Sequence, residues 1–194
     1  MTIKAETPSR PIGIAVNPFE SPRTEVVRLA MIRRLDDLEP PKSFPDGYQF
    51  LNWSPLLLSL AARVARNSFA RSPEVELYPQ LASTNGCVRM ISELVCVPGF
   101  LPEASGLVLW YNEPVAMIIA NRSPGCVFGE VQMVAVRPLH QRIGLGSLMV
   151  NQALWTFHDR FLPHAIFRVN RSNHSAIRFF RTLGFQANMS VTYR

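Results

Sequence analysis

The residues best placed to do chemistry lie between Val134 and Met149, in the run Val-Ala-Val-Arg-Pro-Leu-His-Gln-Arg-Ile-Gly-Leu-Gly-Ser-Leu-Met. An apolar strand ends there in a turn with glycines at 144 and 146, and helical apolar spacing follows. Glycines remove the Cβ atoms that would hold a ligand off the backbone, and the amides from Arg142 to Ser147 stand at the positive end of the helix. Such a turn suits a diphosphate. Arg142, with Arg137 and His140 close by, adds side-chain charge. The same spacing also serves as a plain tight turn with a glycine kept for packing. A dinucleotide fingerprint fits less well, because position 149 is Met instead of a third glycine and the turn comes late in the chain.

Two segments together carry a family resemblance. Gln141-Arg-Ile-Gly-Leu-Gly146 resembles the Gln/Arg-x-x-Gly-x-Gly/Ala acyl-CoA pyrophosphate loop of the GCN5-related N-acetyltransferases, and Asn173-x-x-Ala176-x-x-Phe179-Phe180-x-x-Leu183-Gly184-Phe185 resembles that family's downstream signature. The likeness is specific from about Gly129 to Phe185. It implies the acyl-CoA N-acyltransferase fold, an α/β (α+β) architecture with a mixed, mostly antiparallel sheet flanked by about four helices. It also implies acetyl-CoA as acyl donor, with the pantetheine arm along Met133, Val134, Ala135 and Val136. The diphosphate would lie on Gln141, Arg142, Ile143, Gly144, Leu145, Gly146 and Ser147, with Asn173 and Phe180 beyond. The activity so implied is transfer of an acetyl group to a primary amine of a small molecule or peptide, by direct attack in a ternary complex. The alternative is an acyl-CoA-binding regulatory domain without significant catalysis.

Acetyl transfer needs an oriented thioester, a neutral amine and a stabilised oxyanion. An amide near Val134 would polarise the thioester carbonyl. An alkyl amine with a pKa near 10 is mostly charged at neutral pH, so a base is needed. Glu130, at the start of the same strand, is the candidate; an edge residue in solvent or an ion pair with an arginine is the competing role. Gln132 and Asn173 are polar candidates for positioning. Phe180 stands where many relatives carry a tyrosine that protonates the leaving thiolate, and it has no proton to give. A thiol pKa of roughly 8 to 9 still makes thiolate a tolerable leaving group, with water, Ser175 or Tyr193 as possible acids. His140, His158, His164 and His174 show no metal-ligand spacing, so no metal is expected.

The elements that must position these residues are legible in the hydrophobic pattern. Residues 1 to 44 read as an N-terminal extension and linker, partly disordered or packed on the domain, and residues 45 to 194 as the catalytic domain. Within the extension, Thr24 to Arg34 fits a strand or a short helix. Then follow a strand at Tyr48 to Trp53, helices at Pro55 to Ala70 and Val75 to Val95 with a break near Thr84-Asn-Gly86, and a hairpin of Leu107 to Tyr111 with Pro114 to Ala120 around Asn112-Glu113. Phe128 to Val136 is the strand feeding the glycine turn, and Leu145 to Phe161 the helix after it. A strand at Ala165 to Asn170, a helix at Ser175 to Leu183 and a strand at Gln186 to Tyr193 complete the order. The family's final strand is missing from this order. An edge so exposed needs cover, from Thr24 to Arg34 within the chain or across a homodimer, or from the N-terminal tail.

Composition sets the outer bounds. The chain has 194 residues, 47% of them hydrophobic, enough for one core. No apolar run approaches a membrane span and the N-terminus lacks a signal-peptide core, which points to a cytoplasmic protein without a membrane partner. The formal charge of +6 is concentrated: Arg137 to Arg194 holds eight arginines against Asp159 alone, a local +7. A basic rim there would attract the phosphates of CoA. Nucleic acid could use the same patch, but no recognition motif accompanies it, so it is an unlikely partner.

Overall fold

The computed structural model describes residues 28–123 and 127–187. The chain forms β1 (Arg28–Arg34), β2 (Tyr48–Asn52), α1 (Leu58–Phe69), α2 (Glu74–Leu77), α3 (Thr84–Val95), β3 (Gly106–Trp110) and β4 (Glu113–Arg122). It continues through β5 (Phe128–Val136), α4 (Leu145–Asp159), β6 (His164–Asn170), α5 (His174–Thr182) and β7 (Gln186–Ala187). The strands make one seven-stranded sheet in the order β2-β3-β4-β5-β6-β1-β7. Only β5 and β6 run parallel among the described pairs; the rest are antiparallel.

Each face of the sheet buries a core. Ala116, Ile118 and Val131 pack with α4 residues such as Met149 and Phe157 and with Ile177 and Phe180 of α5. Met117, Ile119, Met133 and Ala135 pack on the other face against α1 and α3. This is why β4 reads as an unbroken apolar run: both of its faces are covered, and eight consecutive residues from Pro114 are buried. The β3–β4 turn falls on Tyr111 and Asn112, both with positive φ (44° and 69°), one residue earlier than the sequence suggests. Two successive positive-φ residues match the twist of the flanking strands.

One expectation changes. The break in the second helical region precedes Thr84: α2 ends at Leu77, a 3-10 turn covers Pro79–Ala82, and α3 begins at Thr84. Ser83 caps α3 by accepting a hydrogen bond from the Gly86 amide at 3.0 Å, so Thr84-Asn-Gly86 is a helix start rather than a gap. Gly86 is required there, since a Cβ would lie 2.1 Å from the Gln80 carbonyl oxygen.

Of the ambiguous segment Thr24 to Arg34, the described part, Arg28–Arg34, is a strand in the interior of the sheet, and the residues before it lie outside the described ones. β1 pairs antiparallel with β6, placing Met31 opposite Phe167, and on its other side with β7, placing Met31 opposite Ala187. Met31 is fully buried. The exposed edge of β6 is thus covered within the chain. Arg33 ties β1 to the end of α5 by donating to the Leu183 carbonyl. The remainder of the expected last strand, including Tyr193, lies outside the described residues.

Candidate active site

The site begins where two parallel strands part. β5 and β6 pair from Phe128 opposite His164 to Val131 opposite Phe167, and no further, although β5 runs on to Val136 and β6 to Asn170. Among the described residues, the β5 edge from Gln132 to Val136 therefore has no strand partner on that side. On the opposite side its pairing with β4 skips a residue: Ile119 faces Met133 and Ala120 faces Val131, which leaves Gln132 as a bulge. The bulge reverses the alternation, sending Val131 into the α4 core but Met133 and Ala135 into the α1/α3 core. A bulge beside an open strand edge makes a wedge lined by backbone donors and acceptors. An extended ligand can join it as a strand would.

The glycine turn lies at the far end of that edge. The Arg137 amide donates to the Val115 carbonyl at 2.8 Å, a 3-10 turn follows at Pro138–His140, and the Gln141 side-chain amide donates to the Val136 carbonyl at 2.9 Å. Arg142 and Gly144 both have positive φ, 67° and 90°. Gly144 is the N-cap of α4, and no side chain caps that helix, which leaves its first amides free for a ligand. The two glycines differ. A Cβ on Gly144 would meet nothing within 4 Å, whereas one on Gly146 would lie 3.2 Å from the Phe179 ring. Gln141, Arg142, Ile143 and Gly144 are exposed; Leu145 is buried and anchors the turn, and Ser147 is half-buried on the first turn of α4. Beside the turn, the Tyr48 hydroxyl and His140 Nδ1 are 3.0 Å apart and Trp110 packs against both rings. Burial, with the nearby Arg137 charge, pushes His140 below its ordinary pKa.

Glu130 sits just before the strands part and is 5% exposed. One carboxylate oxygen accepts from the Arg168 guanidinium, and the other faces the Ser123 hydroxyl at 3.5 Å. Of the two surroundings open to it on sequence grounds, the ion pair is the one observed. Asn173 caps α5: its Oδ1 accepts from the Ala176 amide at 3.1 Å and its Nδ2 donates to Glu74 Oε1 at 2.9 Å. The same Glu74 oxygen accepts from the Asn170 amide at 3.3 Å. Glu74 escaped sequence reasoning because its partners are 96 and 99 residues away and nothing local marks it. Ser175 is exposed on the first turn of α5. Phe180 is fully enclosed, stacked on Phe167 with centroids 3.6 Å apart and edge-on to Phe179 and Phe185. Its ring belongs to the core behind the wedge. Among the described residues no group of three or more His, Cys, Asp or Glu could hold a metal ion, and no helix is long and apolar enough to cross a membrane.

Several known proteins are similar to this chain. The mycothiol acetyltransferase of Acidothermus cellulolyticus is 38% identical over 176 residues, covering 82% of this chain and 51% of the relative. That of Catenulispora acidiphila is 29% identical over 163 residues, covering 80% and 49%, and that of Thermomonospora curvata 40% identical over 87 residues, covering 39% and 29%. The chain spans about half the length, or less, of these curated relatives. A GCN5-related N-acetyltransferase from Sphaerobacter thermophilus shares the fold with a TM-score of 0.64 at 18% identity, covering 85% of this chain and 50% of that one. The PaiA N-acetyltransferase of Thermoplasma acidophilum, solved with coenzyme A, superposes with a TM-score of 0.59 at 14% identity, covering 74% and 92%. The family model described as acetyltransferase (GNAT) matches residues 74–185, which span α2, the wedge, the glycine turn and α5. With that match over more than half its length, the chain belongs to the GNAT acetyltransferase family.

Proposed function

We propose that the chain is an acetyl-CoA-dependent N-acetyltransferase, acting on a primary amine of a small molecule or peptide by direct attack in a ternary complex. The observation that carries this reading is continuity: the unpaired β5 edge leads directly into an uncapped helix N-terminus with open space at Gly144. A long ligand with an amide-bearing arm and a diphosphate fits that sequence of surfaces. Backbone groups of Met133, Val134, Ala135 and Val136 would hold the arm. The amides around Arg142, Ile143, Gly144, Leu145, Gly146 and Ser147 would hold the diphosphate, with the Arg142 guanidinium beside it. Gln141 contributes indirectly, since its side chain is engaged with the Val136 carbonyl.

The donor brings an activated thioester, and the protein supplies orientation, polarisation and proton handling. An amide near Val134 stabilises charge developing on the carbonyl oxygen; one such preorganised donor is worth about 3 kcal/mol. The ammonium of the acceptor must lose a proton before its nitrogen attacks. Glu130 receives it directly or through water on the oxygen that is turned away from Arg168. Glu74 holds Asn173 and the β6–α5 turn in place at the mouth of the wedge. The name of the curated relatives makes the acceptor of mycothiol acetylation the first amine to try, followed by other small amines and peptide N-termini.

Calorimetry with CoA, then release of free thiol from acetyl-CoA across that panel, tests the reading. Glu130→Gln is expected to lower turnover by about 10²-fold, to remove the acidic limb of the pH profile and to leave CoA affinity unchanged. Wild-type rates at every pH would make Glu130 purely structural. The second reading is a CoA-binding regulatory domain, favoured by the absence of a hydroxyl at Phe180. Saturable CoA binding with no donor consumption by any amine selects it.

A further inference from the structure

Past Val131 and Phe167 the parallel strands have no pairing with each other among the described residues, so the wall of the wedge across from β5 is the edge of β6. Its backbone direction follows from the pairing with β1. The Leu35 amide donates to the Pro163 carbonyl at 3.1 Å, one step beyond the Arg34–His164 pair. Antiparallel partners alternate between bonded and unbonded pairs, so His164, Ile166, Arg168 and Asn170 turn their amides and carbonyls away from β1, toward β5. At Arg168 and Asn170, β5 has already left. Side chains take its place: the Arg168 carbonyl accepts from the Arg28 guanidinium at 3.2 Å, and the Asn170 amide donates to Glu74 Oε1 at 3.3 Å. Glu74 thus stands at the open edge of β6, about 10 Å of strand beyond the last β5–β6 pair. Continued past that pair, with the extra residue at Gln132, the register sets Asn170 level with Val134 and Ala135.

The Glu74 carboxylate is only half engaged. Oε1 also accepts from Asn173 Nδ2 at 2.9 Å, while among the described residues Oε2 has no hydrogen-bond partner and the carboxylate no ion pair. Glu130 differs, being 5% exposed with its charge met by Arg168. Glu74 is half-buried, and a carboxylate bonded only to neutral donors leaves its charge for a ligand to meet. We infer that Glu74 is the specificity-determining anchor of the acceptor: Oε2 accepts from the ammonium form of the entering amine and holds it at the β6 edge, across the wedge from Val134. Acceptors are thereby selected as alkylammonium cations. The inference rests on the proposed acetyltransferase function. An ammonium carries several N–H donors, so one stays on Oε2 while another proton leaves toward Glu130 or water. The neutral nitrogen keeps its anchor and turns its lone pair toward β5. Because the contact is made before and during attack, it adds to acceptor binding and leaves the chemical step almost untouched.

Glu74→Gln keeps the oxygen that Asn170 and Asn173 use and removes the charge. Steady-state kinetics with an amine that the unaltered chain acetylates should show an acceptor KM raised about 10-fold or more. The kcat, the KM for acetyl-CoA and CoA affinity by calorimetry should stay near their original values. Two inhibitors separate charge from structure. The N,N-dimethyl derivative of that amine is still a cation but forms no stable amide, and the matching alcohol is neutral. In the unaltered chain the cation should compete with the acceptor about 10-fold more strongly than the alcohol, and Glu74→Gln should remove that difference. The comparison on the unaltered chain decides the matter should the variant melt early. An unchanged acceptor KM in the folded variant, a rise in the acetyl-CoA KM, or equal inhibition by cation and alcohol would each overturn the anchor alone. CoA bound by the unaltered chain with no turnover of any amine would overturn the acetyltransferase reading and the anchor with it.

Discussion

Gly144 and Gly146 both lack a side chain, but for different reasons. Gly144 has a φ of 90° with open space where its Cβ would be, while Gly146 makes room for the Phe179 ring. Gly144→Glu combines a backbone cost of about 1 to 2 kcal/mol with a carboxylate in the space proposed for the diphosphate. Calorimetry of the folded variant should find CoA binding abolished; retained affinity would remove the turn from the site. Gly146→Ala asks only that Phe179 shift by a few tenths of an ångström, so it should keep most of the affinity. His140 gives a pH signature. Its folded pKa is depressed by burial and Arg137, so as pH falls through the ordinary value of 6.5 the unfolded chain takes up the proton first. The stability that neutral His140 contributes is complete above that value and is lost below it, down to the folded pKa. Melting between about pH 7.5 and 5.5 should show a decline that His140→Gln reduces; an identical decline in the variant would rule His140 out as its source.

At the scale of elements, β1 does the most for its length. Seven residues pair in full with β6 and carry β7 on their other edge. A proline in that position removes a ladder hydrogen bond and distorts the strand. Ile32, opposite Ile166 on one side and Gln186 on the other, is the place to try it. Ile32→Pro should cost about 3 kcal/mol or more, read from urea denaturation. A loss under about 0.5 kcal/mol would mean that the sheet stands without this strand. The positions of β6 and α5 depend on the same contacts, since Arg28 and Arg33 reach the Arg168 and Leu183 carbonyls. A partial loss of β1 pairing should therefore lower turnover before it unfolds the chain.

Over the whole molecule, charge is divided along the sequence, with eight arginines against one acid after Val136. The glycine turn, β6 and α5 all belong to that basic half. Association with CoA, a polyanion, should be fast at low salt and slow as the Debye length contracts from about 30 Å at 0.01 M to about 10 Å at 0.1 M. Stopped-flow binding would measure it. A rate indifferent to ionic strength would mean that the arginines are spread too widely to steer the ligand.

What the sequence determined by itself is local in origin. The turn at Gln141 to Gly146 and the strand at Phe128 to Val136 follow from φ preferences and hydrophobic period. Both are set by residues within one or two turns of one another. Among the alternatives the sequence left open were strand or helix at Thr24 to Arg34, of which Arg28 to Arg34 is described, and ion pair or solvated edge at Glu130. It did not register Glu74 at all. Tertiary structure decided these because each depends on partners far along the chain: Phe167 and Ala187 opposite Met31, Arg168 against Glu130, Asn170 and Asn173 against Glu74. An isolated segment cannot encode such choices, since a seven-residue strand or a single carboxylate gains its stabilisation only from the surface it meets after the chain has folded.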